Sequence, residues 1–371
     1  RIKRFFTKRL CHRSNKSRML FWSILQGVKR ACREAPASFV YNSYLKHSLT
    51  LSKNPIEIED PKYEHYIQRF LSDFRFKKPR FFEASTSASY TTKRSEGGQR
   101  ADVRKWLIDN YGFTQVEQTE VETGHKIIVN EIAIPEFDTV AKDAAMEFGG
   151  LLDVQVHAIL EPLKVRLITK GTSVPYWLSR TAQKDMWKYL QRYGIFSATG
   201  RPLTEYDIHN LVEKRSHFER TYSIKFDKWV SGDYSGATDA LNMNMTKLVF
   251  ETMLSNTPKT FRDKKDGKVK PYYSDEFRDV LRSVIYQQVL HYPKVDMGHL
   301  DEAGHWIKDL KEVPMQVQTN GQLMGSTLSF PILCVVNLVA YHYALETYIG
   351  KEIPIQSLPV MVNGDDILFP A

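Results

Sequence analysis

The stretch Pro359-Val-Met-Val-Asn-Gly-Asp-Asp-Ile-Leu-Phe369 places two adjacent carboxylates, Asp365 and Asp366, between two short apolar runs. Asn, Gly and Asp favour tight turns, so the flanking apolar runs predict a strand-turn-strand hairpin. Oxygen ligands on a rigid hairpin are what a divalent metal used in phosphoryl transfer requires. A Gly-Asp-Asp triplet alone is also typical of an acidic turn between edge strands, so other segments must separate the two interpretations.

A second acidic segment, Val230 to Leu241, contains Asp233 and Asp239. The β-branched and aromatic residues from Ile224 to Val230 predict a strand that runs into Asp233. Apolar residues at helical spacing from Leu241 to Met253 predict a helix that begins near Asp239. Asp233 would then lie at a strand end, where it can share divalent ions with the hairpin. Asp239 is also typical of an ordinary acid in the first turn of a helix.

Between these two sites, the segment Gln318 to Pro331 is rich in Gly and hydroxyl residues and precedes an apolar run. It predicts a flexible loop followed by a helix with Pro331 in its first turn. Gly325 would allow close approach of a nucleic-acid backbone or ribose, and Ser326 and Asn337 offer hydrogen bonds to hydroxyls. The apolar run predicts a core helix and not a membrane anchor, because Asn337 interrupts it.

The fourth segment, Glu161 to Gly171, carries three cations in a run of strand-forming residues. Alternation predicts that Lys164, Arg166 and Lys170 share one face of a strand. A cationic face beside metal-binding carboxylates suits a triphosphate and the pyrophosphate that leaves it. Taken alone, the pattern is also typical of a solvated strand face.

In this order, a basic strand, a first aspartate, a Gly-Ser loop and a Gly-Asp-Asp hairpin resemble the RNA-dependent RNA polymerases of positive-strand RNA viruses. In that family they are motifs F, A, B and C. The amino-acid sequences of four segments are similar to those of the ourmia-like (botourmiavirus) polymerases of plants and fungi. The segments are Glu-Pro-Leu-Lys-Val-Arg166, Met-Gly-Ser-Thr-Leu-Ser-Phe-Pro-Ile-Leu-Cys334, Val-Asn-Gly-Asp-Asp-Ile-Leu-Phe369 and Ser95-Glu-Gly-Gly98. The resemblance extends from about Ser95 to Ala371.

The resemblance implies an α+β fold of the right-hand polymerase type, with fingers and a palm whose antiparallel sheet packs on helices. It implies a basic N-terminal region and the start of the fingers in residues 1–100, fingers with motif F in 101–223, and a palm with motifs A, B and C in 224–371. The chain begins at Arg1 and stops five residues after Asp366. We therefore expect a fragment without motif D, motif E or thumb, which could be inactive on its own.

The implied activity is nucleotidyl transfer by an RNA-directed RNA polymerase that uses two Mg²⁺ ions, with Mn²⁺ as a possible substitute. The resemblance assigns catalysis and metal binding to Asp233, Asp365 and Asp366. It assigns binding of the nucleotide phosphates to Lys164, Arg166 and Lys170. It assigns binding of the nucleotide around the ribose 2′-hydroxyl to Asp239, Gly325, Ser326 and Asn337.

Two departures from common viral polymerases concern this nucleotide site. Asp233 and Asp239 are separated by five residues, where many such enzymes have four. That longer spacing resembles the bacteriophage and narnavirus-like branch. Asn337 also lies farther from Gly325 than the corresponding asparagine does in picornavirus-type enzymes.

The composition favours a polyanionic partner. The formal net charge is +9, and residues 1–33 contain repeated Arg and Lys but no Asp or Glu. The resemblance to the polymerases implies an RNA template, a primer or nascent strand and nucleoside triphosphates as partners, without a stable membrane span. The three cysteines are far apart and show no zinc or disulfide spacing. The expected location is the host cell cytoplasm, with the mitochondrion as the alternative.

Coarser predictions concern the remaining segments. The sequence predicts an irregular region over residues 1–100, one helix from Trp177 to Tyr193 and an amphipathic helix from Asp275 to Leu290. It predicts a charged loop from Thr257 to Pro271 and a polar connection from Asp296 to Lys311.

Three alternatives remain. A reverse transcriptase shares the palm, but its motif C usually carries an aromatic residue before the paired aspartates, and its preference for deoxyribonucleotides would distinguish it. A non-enzymatic RNA-binding protein would explain the charge but not the acidic residues, and it should gain no thermal stability from Mg²⁺ or Mn²⁺. A capsid protein would need no such acidic cluster.

Overall fold

The structure, a computed structural model, describes residues 4, 7–9, 11–31, 35–119, 126–161, 164–234, 236–263 and 267–371. The chain divides into two compact units. The first consists of Arg1–Lys46, His157–Ile168 and Tyr292–Val313. The second consists of His47–Val156, Thr169–His291 and Pro314–Ala371. The candidate site residues Asp233, Asp239, Asp365 and Asp366 and the Gly-Ser loop all belong to the second unit.

The α-helices that the structure describes are α1 (Asn15–Ala31), α2 (Ala37–Leu51), α3 (Lys62–Leu71), α4 (Gly98–Tyr111), α5 (Phe137–Glu147), α6 (Ser173–Leu178), α7 (Arg180–Leu190), α8 (Glu205–Tyr222), α9 (Ala237–Ala240), α10 (Met243–Asn256), α11 (Asp275–Ile285) and α12 (Ser329–Ile349). Short 3₁₀ helices occur at Arg94–Glu96, Gly194–Phe196 and Ile355–Ser357.

The strands are β1 (Phe113–Thr119), β2 (Lys126–Ile132), β3 (Leu152–Glu161), β4 (Lys164–Gly171), β5 (Trp229–Gly232), β6 (Thr260–Arg262), β7 (Val269–Pro271), β8 (Gln288–His291), β9 (Val295–Asp296), β10 (His299–Leu300), β11 (Trp306–Ile307), β12 (Leu310–Lys311), β13 (Gln316–Val317), β14 (Met361–Asn363) and β15 (Asp366–Pro370).

Two sheets matter for the candidate site. An antiparallel sheet has the strand order β14-β15-β5 and carries both acidic segments. A four-stranded sheet has the order β13-β8-β3-β4 and includes the basic strand β4. Strands β3 and β4 are each divided between the two units. The described content of helices and strands agrees with the predicted α+β class.

The main hydrophobic core lies in the second unit and contains both aliphatic and aromatic residues. Phe76, Phe250 and Phe277 are among its fully buried side chains. Helix α12 passes through this core. It is long and apolar enough to cross a membrane by length and composition, but 61% of its apolar window is buried inside the protein. This burial agrees with the predicted core helix.

Several predicted boundaries were wrong, and the physical causes differ. Residues 1–100 are not irregular, because α1, α2 and α3 lie there. The helix predicted from Trp177 to Tyr193 is two helices, α6 and α7, which meet at Ser179. Helix α6 begins before Trp177 because Pro175 occupies its first turn, where proline costs no hydrogen bond.

Tertiary pairing accounts for the other differences. The predicted helix from Asp275 ends at Ile285, and Gln288–His291 instead forms a strand parallel to β3. The predicted charged loop contains the hairpin β6–β7, although residues 264–266 lie outside the described part. The predicted polar connection contains the short strands β9 to β12. These segments form strands because they pair with other strands, and the pattern of a single sequence does not show which strands will pair.

Both predicted elements around Asp233 and Asp239 begin later than expected. Strand β5 begins at Trp229, which pairs with Pro370 of β15, and not at Ile224. Asp239 lies in the four-residue helix α9, and the long helix α10 begins only after Asn242. The Asn242 side chain accepts hydrogen bonds from the amides of Asn244 and Met245 and so caps α10.

Candidate active site

The acidic hairpin has the predicted strand-turn-strand geometry. Gly364 and Asp365 form a two-residue turn, and Asn363 pairs with Asp366 across it. The φ angle is positive at Gly364 (67°) and not at Asp365, as in a type II′ turn, which favours Gly at its first position. Asp365 therefore lies in the turn itself, and Asp366 begins β15.

Strand β5 brings Asp233 to the same end of this sheet. Gly232 pairs with Ile367 in the antiparallel register, so the next residue on each strand places Asp233 across from Asp366. On the strand adjacent to Asp233, the register gives the opposite position to Asp366. The turn places Asp365 beside it.

The three carboxylates influence one another electrostatically. The pKa of Asp366 is raised above its ordinary value by desolvation and by the negative charges of Asp365 and Asp233. Among the described residues, no side chain forms a hydrogen bond or an ion pair with any of these three carboxylates. Within the described residues of this chain, whose net charge is +9, these carboxylates therefore form an acidic cluster without an ion-pair partner at one end of a sheet.

The donor chemistry of this cluster suits a hard divalent cation, because carboxylate oxygens are the preferred ligands of Mg²⁺. A cation would also relieve the repulsion that raises the pKa of Asp366. Within the described ranges, however, no three acidic, His or Cys side chains form a ready-made metal-binding group. The carboxylates would have to rotate toward a shared ion.

Side chains of helix α12 form hydrogen bonds with the backbone of the acidic turn. The Asn337 amide Nδ2 donates to the carbonyl oxygens of Gly364 (3.0 Å) and Asp365 (3.3 Å). The Gly364 amide donates to the Cys334 thiol sulfur at 3.3 Å. A Cβ on Gly364 would lie 2.9 Å from the ring of Phe330, so the turn rests on that ring. Asn337 is buried and serves the turn, whereas the sequence predicts that it contacts a ribose.

Asn337→Asp should therefore destabilise the protein and displace the turn. The substitution replaces a donor by a carboxylate oxygen facing two carbonyl oxygens, and leaving buried acceptors unsatisfied costs about 1–3 kcal/mol. We expect a lower midpoint of chemical unfolding. The control is Asn110→Asp, which removes an amide-to-carbonyl bond on an exposed position of α4 and should change the midpoint little. Equal midpoints for the two variants would contradict this role of Asn337.

The Gly-Ser loop packs against the end of the basic strand. The Thr169 amide donates to the Met324 carbonyl at 3.0 Å, and a Cβ on Gly325 would lie 2.1 Å from the Thr169 carbonyl oxygen. The glycine is thus required for contact between two protein backbones, where the sequence predicts contact with nucleic acid. Ser326 is buried, and its hydroxyl donates to the Val284 carbonyl at 3.0 Å.

The same loop is bonded to the segment that contains Asp239. The Gln322 amide donates to the Thr238 carbonyl at 2.7 Å, and the Gly321 amide donates to the Leu241 carbonyl at 2.9 Å. A Cβ on Gly321 would lie 2.3 Å from the carbonyl oxygen of Asp239. The backbone around Asp239 is therefore fixed by the loop.

The basic residues of β4 are distributed over both units. Lys164 and Arg166 belong to the first unit and are exposed, and Arg166 forms an ion pair with Glu161 at 3.2 Å. Lys170 belongs to the second unit, is half-buried and directly follows Thr169, to which the Gly-Ser loop is bonded. Lys170 is thus the predicted phosphate ligand that the second unit holds beside the loop.

Within the second unit, Asp233, Asp365 and Asp366 lie together, and Asn337 binds the turn that carries Asp365. In a separate cluster, the loop of Gly325 and Ser326 contacts the segments that contain Lys170 and Asp239. Sequence reasoning missed the supporting residues Cys334, Phe330 and Thr169. Their roles depend on backbone contacts between distant segments, and residue type gives no signal of such contacts. The Asn320-Gly321 dipeptide was a visible turn signal next to Asp239.

Comparison with known proteins supports the resemblance drawn from the motifs. The chain is 32% identical over 235 residues to the RNA-dependent RNA polymerase of Ourmia melon virus (isolate Melon/Iran/VE9). The matched segment is 62% of this chain and 25% of that protein, so the chain matches about a quarter of the relative's length. No family model matches the chain.

The fold is also that of a viral RNA-dependent RNA polymerase. The whole chain superposes on 61% of the crystal structure of the RNA-dependent RNA polymerase of a human picorbirnavirus, with a TM-score of 0.51 and 12% sequence identity. In sequence and in fold, the chain is therefore similar to viral RNA-dependent RNA polymerases. The predicted resemblance to the ourmia-like group is confirmed.

Proposed function

We propose that this chain carries the catalytic centre of a viral RNA-dependent RNA polymerase, which adds nucleoside monophosphates to an RNA 3′ end in genome replication and transcription. The observation that carries the proposal is the register that places Asp233 across from Asp366, with Asp365 in the adjoining turn. The similarity to the Ourmia melon virus enzyme supports it. Template-directed nucleotide incorporation, measured in the complete reading frame that contains this chain, tests it.

Asp233, Asp365 and Asp366 would hold two Mg²⁺ ions, or Mn²⁺ in their place. When bound, such ions lower the pKa of an attacking hydroxyl and stabilise the charge on a leaving pyrophosphate. The contribution of the chain is positional. The β14–β15 turn, anchored on Asn337 and Cys334, keeps the Asp365 backbone fixed while its carboxylate turns toward an ion.

The nucleotide would be bound through its phosphates and through its ribose. Lys164, Arg166 and Lys170 would neutralise its phosphates, and Asp239 would accept a hydrogen bond from the ribose 2′-hydroxyl. Gly325, Ser326 and Asn337 would act indirectly, because their contacts position Thr169, the loop and the acidic turn. The partners would be an RNA template, a primer or nascent strand, and nucleoside triphosphates.

In this proposal residues 1–100 form the N-terminal region and the start of the fingers, residues 101–223 the fingers with motif F, and residues 224–371 the palm. The proposal is supported by the sheet β14-β15-β5, which joins motifs A and C above helix α12 of motif B. The location in the host cell cytoplasm rests on the same resemblance.

The basic strand provides a test of triphosphate contact. Arg166 is planar and can bind two phosphate oxygens at once, which Lys cannot do. Arg166→Lys should raise the apparent nucleotide KM about tenfold, since one charge-assisted hydrogen bond is worth about 1.5 kcal/mol. Arg166→Gln should raise the KM further at low salt.

The salt dependence of the nucleotide KM distinguishes direct contact between Arg166 and the triphosphate from long-range electrostatic attraction. If Arg166 only attracts the polyanion, Arg166→Lys should match the parent, and the defect of Arg166→Gln should shrink as salt is added. An unchanged KM in Arg166→Lys would contradict direct triphosphate contact.

A further inference from the structure

Helix α1, which belongs to the first unit, exposes large apolar side chains to solvent. The exposed fraction is 70% for Met19, 62% for Leu20, 53% for Trp22 and 55% for Ile24. Met19 and Trp22 lie one helical turn apart, and so do Leu20 and Ile24, so the side chains form two short apolar rows. Clustered apolar side chains of this size are unfavourable in water and mark a surface that binds a partner.

The same part of the chain is strongly basic. Residues 1–33 contain 11 Lys and Arg residues and no Asp or Glu. Arg13, Lys16 and Arg18 are exposed, and within the described ranges no acidic side chain forms an ion pair with them. Lys16 lies one turn before Leu20, so a cation adjoins an apolar row. A partner that fits α1 therefore offers both apolar and negatively charged groups.

An anionic lipid surface offers both kinds of group. A basic helix with exposed apolar residues lies along such a surface, with its apolar side chains among the acyl chains and its cations at the phosphates. An RNA strand would neutralise the cations but would leave Leu20 and Ile24 in water, because only Trp22 can stack on a base. Helix α1 has 17 residues, fewer than the about 20 that cross a bilayer, which favours binding along the surface.

We propose that α1 binds the surface of membranes that contain anionic lipids. Leu20 and Ile24 enter the outer part of the acyl region, Trp22 lies at the level of the headgroups, and Lys16 and Arg18 bind lipid phosphates. The inference goes beyond the proposed function and does not depend on it, because it uses no residue of the candidate active site.

The test is sedimentation of the complete reading frame that contains this chain with lipid vesicles. One preparation is phosphatidylcholine alone, and the other is phosphatidylcholine mixed with phosphatidylserine. A first double variant, Leu20→Ser with Ile24→Ser, removes apolar area and keeps every charge. A second, Lys16→Gln with Arg18→Gln, removes two charges and keeps the apolar residues. RNA binding and the midpoint of chemical unfolding are measured for each protein.

The control for the first variant is Ile56→Ser with Leu203→Ser. Both residues lie outside α1 and are also exposed, by 79% and 49%. The control therefore removes a similar amount of apolar surface at positions that the inference does not assign to the membrane. Its vesicle binding should match that of the parent.

We expect the parent to sediment with the phosphatidylserine vesicles and much less with phosphatidylcholine alone. The Lys16 and Arg18 variant should bind the anionic vesicles about twentyfold more weakly, because each cation near a charged surface contributes about fivefold. The Leu20 and Ile24 variant should bind them at least about tenfold more weakly, with RNA binding and the unfolding midpoint unchanged.

Trp22 provides a readout that is local to the helix. Entry of its indole ring into the headgroup region moves its fluorescence emission to shorter wavelength. Trp22→Phe should still sediment with the anionic vesicles but should show a smaller shift than the parent. An equal shift in the two proteins would contradict the insertion of this residue.

The other outcomes overturn the inference or the proposed function separately. If the parent does not bind the anionic vesicles, or if the Leu20 and Ile24 variant binds them as the parent does, the inference is overturned. If the parent binds no vesicles and the Lys16 and Arg18 variant loses RNA binding, α1 is an RNA-binding segment instead. Vesicle binding through α1 without RNA synthesis would leave the inference standing and would count against the proposed function alone.

Discussion

Asp365→Asn is expected to reduce RNA synthesis about a thousandfold, because removal of one metal-binding charge forfeits several kcal/mol of transition-state stabilisation. Asn keeps the size and turn propensity of Asp, so the β14–β15 hairpin should persist. RNA binding should be largely intact, since the basic residues are unchanged. The measurement is the rate of nucleotide incorporation at saturating template, with RNA affinity determined in parallel.

Two comparisons make this result specific. Asp227→Asn is the matched control, because Asp227 is an exposed acid beside the same sheet, where its amide donates to the Ala371 carbonyl. It should leave synthesis unchanged. Mg²⁺ or Mn²⁺ should raise the unfolding temperature of the parent and of Asp227→Asn more than that of Asp365→Asn. Near-normal RNA synthesis by Asp365→Asn would contradict the assignment of the Asp365 carboxylate to the metal site.

Gly325→Ala should disrupt the junction between the Gly-Ser loop and the basic strand. The new Cβ would lie 2.1 Å from the Thr169 carbonyl oxygen and 2.7 Å from the Thr169 hydroxyl, so backbone must move. Overpacking of this kind costs about 1–3 kcal/mol of unfolding free energy, and displacement of Lys170 should also lower nucleotide use. The readouts are chemical unfolding and hydrogen exchange at the Thr169 amide, which is bonded to Met324.

Gly194→Ala is the control for that substitution. No atom lies within 4 Å of a Cβ added at Gly194, and its φ angle is not positive, so alanine should fit without strain. Its unfolding free energy and the exchange rate at Thr169 should match those of the parent. If Gly325→Ala also keeps the Thr169 amide protected, the loop is not held by this contact.

The sequence predicted the parts of the site that depend on local pattern. The Asn-Gly-Asp-Asp turn, the apolar helix after Pro331 and the strand with Lys164 and Arg166 are each encoded in fewer than about 25 neighbouring residues by turn chemistry or periodicity. These elements have the predicted type in the structure. The motif order also indicated the polymerase fold, to which the whole chain is similar.

What the sequence did not predict depends on contacts between distant segments. The register that places Asp366 across from Asp233, and the packing of Gly325 on Thr169, arise from backbone pairing that no single stretch encodes. The same is true of Asn337, whose amide could serve a ligand or a turn equally well by residue type alone. Its burial against the Gly364 carbonyl distinguishes the two roles.

The most direct test of the central claim is incorporation of labelled ribonucleotides and deoxyribonucleotides on an RNA template by the complete reading frame that contains this chain. The account predicts template-dependent incorporation of ribonucleotides that requires Mg²⁺ or Mn²⁺ and is lost in Asp233→Asn. Preferential incorporation of deoxyribonucleotides would indicate a reverse transcriptase. RNA binding without incorporation of either nucleotide would contradict the assignment of Asp233, Asp365 and Asp366 to a catalytic metal site.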